Sequence, residues 1–284
     1  MTKKHLSPLP RLLVEDAVRM ALKEDLGRAG DITTDAIIAP DARIRAVIRA
    51  RRAGRIAGLD LAQSAFGMLD ENISFERCVN DGEDAGAGED VVRISGLARA
   101  ILSAERVALN YLGHMSGIAT MTRELVALTK GTKAQICDTR KTTPGLRLFE
   151  KYAVKAGGGA NHRFGLDDAV LIKDNHIAAA GGIASAIGAA RANAGHMVKV
   201  EVEVDTLEQL DLALGCDVDA VLLDNMDPVT LAEAVRRIDG KALAEASGGV
   251  NAATVAGIAA SGVDLISVGA LTHSAPVLDL GLDF

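Results

Sequence analysis

Val198-Lys-Val-Glu-Val-Glu-Val204, Ala220-Val-Leu-Leu223, Ala242-Leu-Ala-Glu-Ala246 and Leu265-Ile-Ser-Val268 are short apolar runs recurring roughly every 21–24 residues. Ala134-Gln-Ile-Cys137 and Ala169-Val-Leu-Ile172 precede them, and alanine-rich helical stretches lie between. One strand, one helix and two short loops fill that spacing, which is the unit of a parallel α/β structure. No glycine-rich dinucleotide fingerprint follows the first run. Six units without one favour an α/β barrel over a doubly wound sheet.

Polar residues gather at one place in each unit. After the runs come Thr139-Arg-Lys141, Lys173-Asp-Asn175, Glu203 with Asp205, Asp224-Asn225, Ser247-Gly-Gly249 and Gly269-Ala270. In a barrel the C-terminal ends of the strands share one rim, and that rim carries the chemistry. Residues distant in sequence therefore converge.

The first third of the chain is organised differently. Leu12 to Asp25 carries a helical apolar stripe, and Gly30-Asp-Ile-Thr-Thr34 reads as a loop with capping residues. Apolar and basic residues alternate from Ile44 to Ile56, as in a half-exposed strand. Val79 to Asp90 reads as a turn, Val91 to Ile94 as a short strand, and Ser103 to Tyr111 as a helix capped by Ser103.

The 284 residues are 49% hydrophobic and 24% charged, which suits a soluble globular protein with a large core or two domains. A net charge of −7, and aromatics at only 2%, argue against nucleic-acid binding. No apolar run approaches the ~20 residues of a membrane span, and Met-Thr-Lys-Lys-His-Leu-Ser-Pro lacks a signal-peptide core. The cytoplasm is the expected location. Cys78, Cys137 and Cys216 are odd in number and widely spaced, so they read as reduced core thiols. Cys137 adjoins a cationic loop, and modifying it is expected to obstruct that loop.

Against this acidic background, Arg140, Lys141, His162, Arg163 and Lys173 form a cationic group in three neighbouring loops. A small polyanionic substrate accounts for it, since arginine's planar fork suits carboxylate and phosphate. The bland alternative for Arg140 and Lys141 is a solvated turn beside Pro144-Gly145. Lys173 ends the most apolar strand and reads either as a Schiff-base nucleophile or as a fixed cation; its arginine neighbours favour the cation. His162 with His176 makes only a weak metal pair. Glu201 and Glu203 share one strand face, with Glu201 deeper as an ion-pair partner. Glu203, Asp205 and Asp224 suit Mg²⁺, its waters or ribose hydroxyls. Ser247-Gly-Gly249 and Gly269-Ala-Leu-Thr272 read as tight turns or as a phosphate site. Glu105-Arg106 alone is an exposed charge pair of little worth.

Several stretches together resemble the quinolinate phosphoribosyltransferase family. They are Ser103–Asn110 with Ser116–Thr120, Asp138-Thr-Arg-Lys-Thr-Thr-Pro-Gly-Leu-Arg147, Lys155-Ala-Gly-Gly-Gly-Ala-Asn-His-Arg163, Ile172–His176, Val200–Val204, Leu223–Asn225, Ala246–Gly249 and Val268–His273. The resemblance runs in order from Glu24-Asp-Leu-Gly27 to Leu278–Asp283. It implies an N-terminal α/β sandwich (1–115, joined by the tail 275–284) and an open, seven-stranded, TIM-like α/β barrel (116–274). It implies decarboxylating transfer of phosphoribosyl from phosphoribosyl pyrophosphate to quinolinate, with Mg²⁺, in a homodimer or a higher oligomer built from it. Thr139, Arg140, His162, Arg163, Lys173 and Arg106 from the partner would meet quinolinate. Lys141, Glu203 and Asp224 would meet phosphoribosyl pyrophosphate and Mg²⁺. Ser247, Gly248, Gly249, Gly269 and Ala270 would hold the 5′-phosphate, with His273 nearby. Lys141, Lys173, Glu203 and Asp224 are the expected catalytic set. Rival readings are a phosphoribosyltransferase-like paralogue associated with molybdenum transport, a Schiff-base aldolase and a non-catalytic phosphate-binding regulator.

Overall fold

A computed structural model describes residues 6–284. The chain forms two compact units. One comprises the chain as far as Arg123 with Leu148–Gly158 and Ser274–Phe284; the other comprises Glu124–Arg147 and Gly159–His273.

The first unit is built on an antiparallel sheet. Its strands include β1 (Arg43–Ala50), β2 (Gly54–Arg55), β3 (Ser74–Arg77), β4 (Asp84–Ala85) and β5 (Asp90–Leu97). The four-stranded sheet runs Leu280–Asp283, β1, β5, β3, while β2 pairs with β4. Alternation in β1 buries Ala46, Ile48 and Ala50 on one face. Its other face carries Arg49, whose guanidinium reaches Asp90 at 2.8 Å and Asp283 at 3.1 Å. The expected single strand from Ile44 to Ile56 is interrupted after Ala50, where Arg51 N–H bonds the Asp279 carbonyl.

Two local expectations are corrected in this unit. Gly30–Thr34 leads into a helix, Ile32–Ile37, whose Asp31 side chain accepts from Thr34 N–H at 2.9 Å. Ser103 caps nothing, because the helix runs unbroken from Ala98 to Leu128. Its hydroxyl instead donates to Asp31 Oδ2 at 3.0 Å. No polar side chain marked the true start, since Gly96-Leu97 passes straight from strand to helix.

The second unit is a parallel sheet of β6 (Gln135–Cys137), β7 (Val170–Ile172), β8 (Val200–Val204), β9 (Ala220–Asp224), β10 (Leu243–Ser247) and β11 (Leu265–Ser267). The strand order is β6-β11-β10-β9-β8-β7. Helices Asp174–Ala179, Ile183–Asn193, Leu207–Leu214, Pro228–Ile238 and Val255–Ala260 connect them. Pro228–Ile238 has its start fixed by Pro228 and by Asp227, whose side chain accepts from Val229 and Thr230. Six strands are formed where seven were expected. The seventh place, beside β6, is a single bridge between Cys137 and Ala160. It extends no further because His162 N–H turns to the Asp138 side chain, at 3.0 Å.

The sheet curls. His162, beside β6 at one end of the strand order, places Nε2 2.9 Å from Glu201 Oε2 on β8, near the other end. Only an open barrel brings these together. Along β8 the valines are fully buried, while Glu201 and Glu203 alternate with them. Two faces of one strand thus serve the packing layer and the barrel interior.

In the first unit, helix Ala98–Leu128 offers Gly117 to the C-terminal segment, and a Cβ there would lie 2.1 Å from the Pro276 carbonyl oxygen. Gly117→Ala is expected to lose more to overpacking, about 1–3 kcal/mol, than the ~1 kcal/mol an alanine gains in a helix. Thermal melting should fall; an unchanged or higher melting temperature would show the contact to be slack.

Candidate functional site

Every barrel strand, or the loop that follows it, contributes to one cavity of about 430 Å³. Thr139, Arg140 and Lys141 follow β6, His162 and Arg163 follow the Ala160 bridge, and Lys173 follows β7. Glu203 lies on β8, Asp224 ends β9, Glu245 and Ser247 come from β10, and Ser267 ends β11. All stand at or near the C-terminal ends of their strands, on the rim where barrels carry chemistry. The expected convergence of cations and carboxylates is therefore what the fold produces.

The cations are held in place by the backbone around them. Fully buried Asp138 accepts from His162 N–H. Arg163 Nη1 donates to the Ala169 carbonyl at 3.0 Å. Arg147 donates to Thr142 Oγ1 at 2.9 Å and to the Phe164 carbonyl at 3.1 Å, tying the two cationic loops together. Arg140 Nε and Arg163 Nε are buried donors without an acceptor. Buried N–H groups are rarely left so, and here both belong to guanidinium groups lining the cavity. Burial, then the charge of Arg140, pulls the Arg163 guanidinium below its ordinary value, against Glu201 and Asp168. An arginine so placed still carries its charge.

Lys173 Nζ lies 2.5 Å from Glu203 Oε2. An ammonium held by a carboxylate is a fixed cation and a poor amine nucleophile, which weighs against the Schiff-base reading. Lys173 N–H bonds His176 Nδ1 at 2.9 Å, so His176 serves the start of helix Asp174–Ala179 and does not join His162. Asp224 accepts from Asn225 Nδ2 at 2.6 Å. Asp205 does not line the cavity; its N–H bonds Gln209 Oε1 at 2.7 Å, at the start of the next helix.

The glycine loops stand beside this group. Gly248 and Gly249 have φ of 93° and 62°, a region that favours glycine. A Cβ on Gly248 would fall 2.0 Å from Asn225 Oδ1. A Cβ on Gly269 would fall 3.0 Å from Lys141 Cδ and 3.4 Å from His273 Nε2. Gly269 thus lets Lys141 and His273 approach one another. Thr272 Oγ1 donates to the Lys141 carbonyl at 2.7 Å, and Ala270 opens the short helix Ala270–His273. Arg106 lies in the other unit, on helix Ala98–Leu128, with a 65% exposed side chain. Cys137 is the one core thiol of the three, since Cys78 is exposed and Cys216 half-buried against expectation; none of them forms a disulfide.

Sequence reasoning missed Ser267 in the cavity, and it missed Glu245. Its signal was a lone carboxylate in Ala242-Leu-Ala-Glu-Ala246, two places before Ser247 and so on the same face. It lies with His162 and Glu201, their ligand-type atoms within 4.8 Å of one another. Burial, then the Glu201 charge, pushes the Glu245 carboxyl up to about 7, against His162 and a hydrogen bond with Ser267. His162 Nδ1 accepts from Arg163 N–H at 2.7 Å, so the neutral ring carries its proton on Nε2. A metal ion at Nε2 would have to displace that proton and leave an imidazolate. The cluster therefore suits a proton better than a metal.

The profile described as quinolinate phosphoribosyl transferase, C-terminal domain, matches residues 118–283, and that of the N-terminal domain matches residues 31–116. This chain belongs to the quinolinate phosphoribosyltransferase family. Similar proteins include a probable nicotinate-nucleotide pyrophosphorylase [carboxylating] of Bacillus subtilis, 45% identical over 92% of this chain and 89% of its own. The nicotinate-nucleotide pyrophosphorylase [carboxylating] of Mycobacterium leprae is 46% identical over 94% of this chain and 96% of its own. The crystal structure of NadC from Streptococcus pyogenes superposes with a TM-score of 0.95 at 40% identity, covering 98% of each chain. The two domain profiles together span residues 31–283.

Glu245 makes a testable contribution to stability. Its folded carboxyl titrates higher than an unfolded glutamate. Below the unfolded value both states hold the proton and there is no penalty. As pH rises toward neutrality the unfolded state loses its proton first, so stability falls. Glu245→Gln should gain stability over the wild type by on the order of 1–3 kcal/mol between about pH 5 and pH 8. Urea unfolding at both ends of that range checks it; a constant difference would remove the buried acid.

Proposed function

We propose that this chain transfers phosphoribosyl from phosphoribosyl pyrophosphate to quinolinate with loss of CO₂, giving nicotinate mononucleotide and pyrophosphate for NAD biosynthesis. The observation that carries this reading is the pair of buried, acceptor-free Nε donors of Arg140 and Arg163 in one cavity. A pyridine dicarboxylate supplies acceptors of the right charge and planarity. Thr139, His162 and Lys173 complete that side. Lys141, Ser247, Gly248, Gly249, Gly269, Ala270 and His273 form the phosphate side, with loop N–H groups facing phosphate oxygens.

The chemistry needs placement and charge stabilisation. The pyridine nitrogen attacks the ribose C1′ as pyrophosphate leaves through an oxocarbenium-like state. Lys141 stabilises the leaving oxygens. Glu203 and Asp224 orient the ribose hydroxyls. The pyridinium charge then stabilises the electron pair left on C2 when the carboxylate departs as CO₂, and that pair takes a proton from water. Two carboxylates on adjacent strands are hard oxygen donors that fit Mg²⁺ through its waters. When bound, Mg²⁺ neutralises pyrophosphate charge. Lys173, already paired with Glu203, acts as a cation throughout. Reduced cysteines suit a cytoplasmic setting.

Arg140→Ala should weaken quinolinate binding by roughly 1.5–3 kcal/mol, about 10- to 150-fold. Calorimetric titration with quinolinate reads this directly, and unchanged affinity would remove Arg140 from the site. The wild type should release pyrophosphate and CO₂ from quinolinate and phosphoribosyl pyrophosphate. Turnover of nicotinate with none of quinolinate would overturn the function.

We further propose a homodimer in which Arg106 completes the partner's site. Among the described residues, its exposed side chain makes a single ion-pair contact, with Glu105 at 3.9 Å. Arg106→Ala and Lys173→Ala should each abolish turnover. Mixing and reassociating the two should restore about a quarter of wild-type activity, because one site in each mixed dimer is intact. No recovery on subunit exchange would count against a shared site.

A further inference from the structure

Asn225 follows β9 and is absent from the cavity lining, yet it is bonded to two residues that form that lining. Its backbone is unusual. Asn225 and Asp239, with φ of 54° and 46°, are the described residues other than glycine in the left-handed region. Asp239 is the C-cap of helix Pro228–Ile238. Asn225 ends a strand. Glycine adopts this conformation at lower cost, so a turn alone would favour glycine here. What asparagine adds is an amide, and its two ends meet different parts of the site. Nδ2 donates to Asp224 Oδ2 at 2.6 Å. A Cβ on Gly248 would collide with Asn225 Oδ1, so the oxygen end occupies the space that Gly248 leaves free. Asn225 N–H donates to the Ser247 carbonyl at 2.9 Å, carrying the β9–β10 pairing one residue past the Asp224–Ser247 register.

We propose that Asn225 is a positioning residue that locks the Asp224 carboxylate and the Ser247-Gly-Gly249 loop to each other, and so matches the site to the distance between ribose and 5′-phosphate in phosphoribosyl pyrophosphate. The inference rests on the phosphoribosyl-transfer reading above, which gives both groups to one substrate. Without the amide, Asp224 loses the donor that fixes one of its oxygens, and its carboxylate is free to turn away from the ribose hydroxyls. The loop beside Gly248 loses its neighbour and gains freedom that binding must then remove. Both losses fall on phosphoribosyl pyrophosphate. The cations assigned to quinolinate follow β6, β7 and the Ala160 bridge, and Asn225 stands between β9 and β10.

Asn225→Gly tests this most directly, because it keeps the turn and removes only the amide. The KM for phosphoribosyl pyrophosphate should rise about tenfold, as for one lost hydrogen bond to a charged group. Calorimetric affinity for quinolinate should stay at the wild-type value. Asn225→Asp keeps the shape but sets a second carboxylate beside Asp224, and should raise that KM at least as far. Gly248→Ala should raise it less in the Asn225→Gly background than in the wild type, because the side chain it strikes is gone. An unchanged KM in Asn225→Gly overturns the proposal and leaves Asn225 as a turn residue. Equal weakening of both substrates, or an equal effect of Gly248→Ala in both backgrounds, overturns it as well. If Asn225→Gly does not fold, Asn225→Asp decides by the same comparison of the two substrates. Failure of the wild type to release pyrophosphate from these substrates would instead overturn the assigned reaction.

Discussion

The hydrogen bond from His162 Nε2 to Glu201, 2.9 Å long, joins opposite ends of a curled sheet. A carboxylate inside a barrel is costly unless it is paired. Here the pairing does three things at once. It gives Glu201 Oε2 a donor, fixes the imidazole tautomer together with Arg163 N–H, and places the His162–Arg163 segment against the mouth of β8. The Nε donors of Arg140 and Arg163, buried without an acceptor, belong to guanidinium groups that line the cavity. The cationic side of the cavity thus rests on a buried acid–base contact.

The two ends of the barrel strands treat charge differently. At the starts of β9 and β11, carboxylates close local structure. Asp219 Oδ2 accepts from Val200 N–H at 2.8 Å, and Asp264 Oδ2 from Ala244 N–H at 2.9 Å. Burial raises Asp219, but Lys199, the Val200 amide and Arg191 outweigh it and hold its carboxyl at about 2. At the opposite ends, guanidinium donors stay open and Glu245 titrates upward. Satisfied groups hold the strand starts together, and unsatisfied ones gather around the cavity at the opposite ends.

Much of this was legible in sequence because a parallel barrel ties chemistry to periodicity. The spacing of the runs placed Arg140, Lys173, Glu203, Asp224 and Ser247 at strand ends, and there they are found. What failed was of two kinds. Ser103 looked like a cap because a serine before an apolar run satisfies amide donors, but strand β5 feeds its helix directly and needs none. Glu245 looked like one polar residue in an alanine-rich strand, because its meaning comes from Glu201 and His162, which are remote in sequence. Asp138 and Arg147 sat inside a recognisable motif without a role, since both act on backbone groups brought near only by folding.

Val200-Glu-Val-Glu-Val204 has a consequence for how the barrel assembles. Side chains alternate strictly along a strand, so a slip of one residue inverts its faces. In β8 such a slip would turn three valines toward a wet cavity and press Glu201 and Glu203 into the helical layer. Few misalignments in a small domain carry two buried, partnerless charges as their penalty. The alternation that delivers acids to the rim also discriminates against every odd-numbered shift in the pairing of β8 with β7 and β9. Register and reactivity are written in the same five residues.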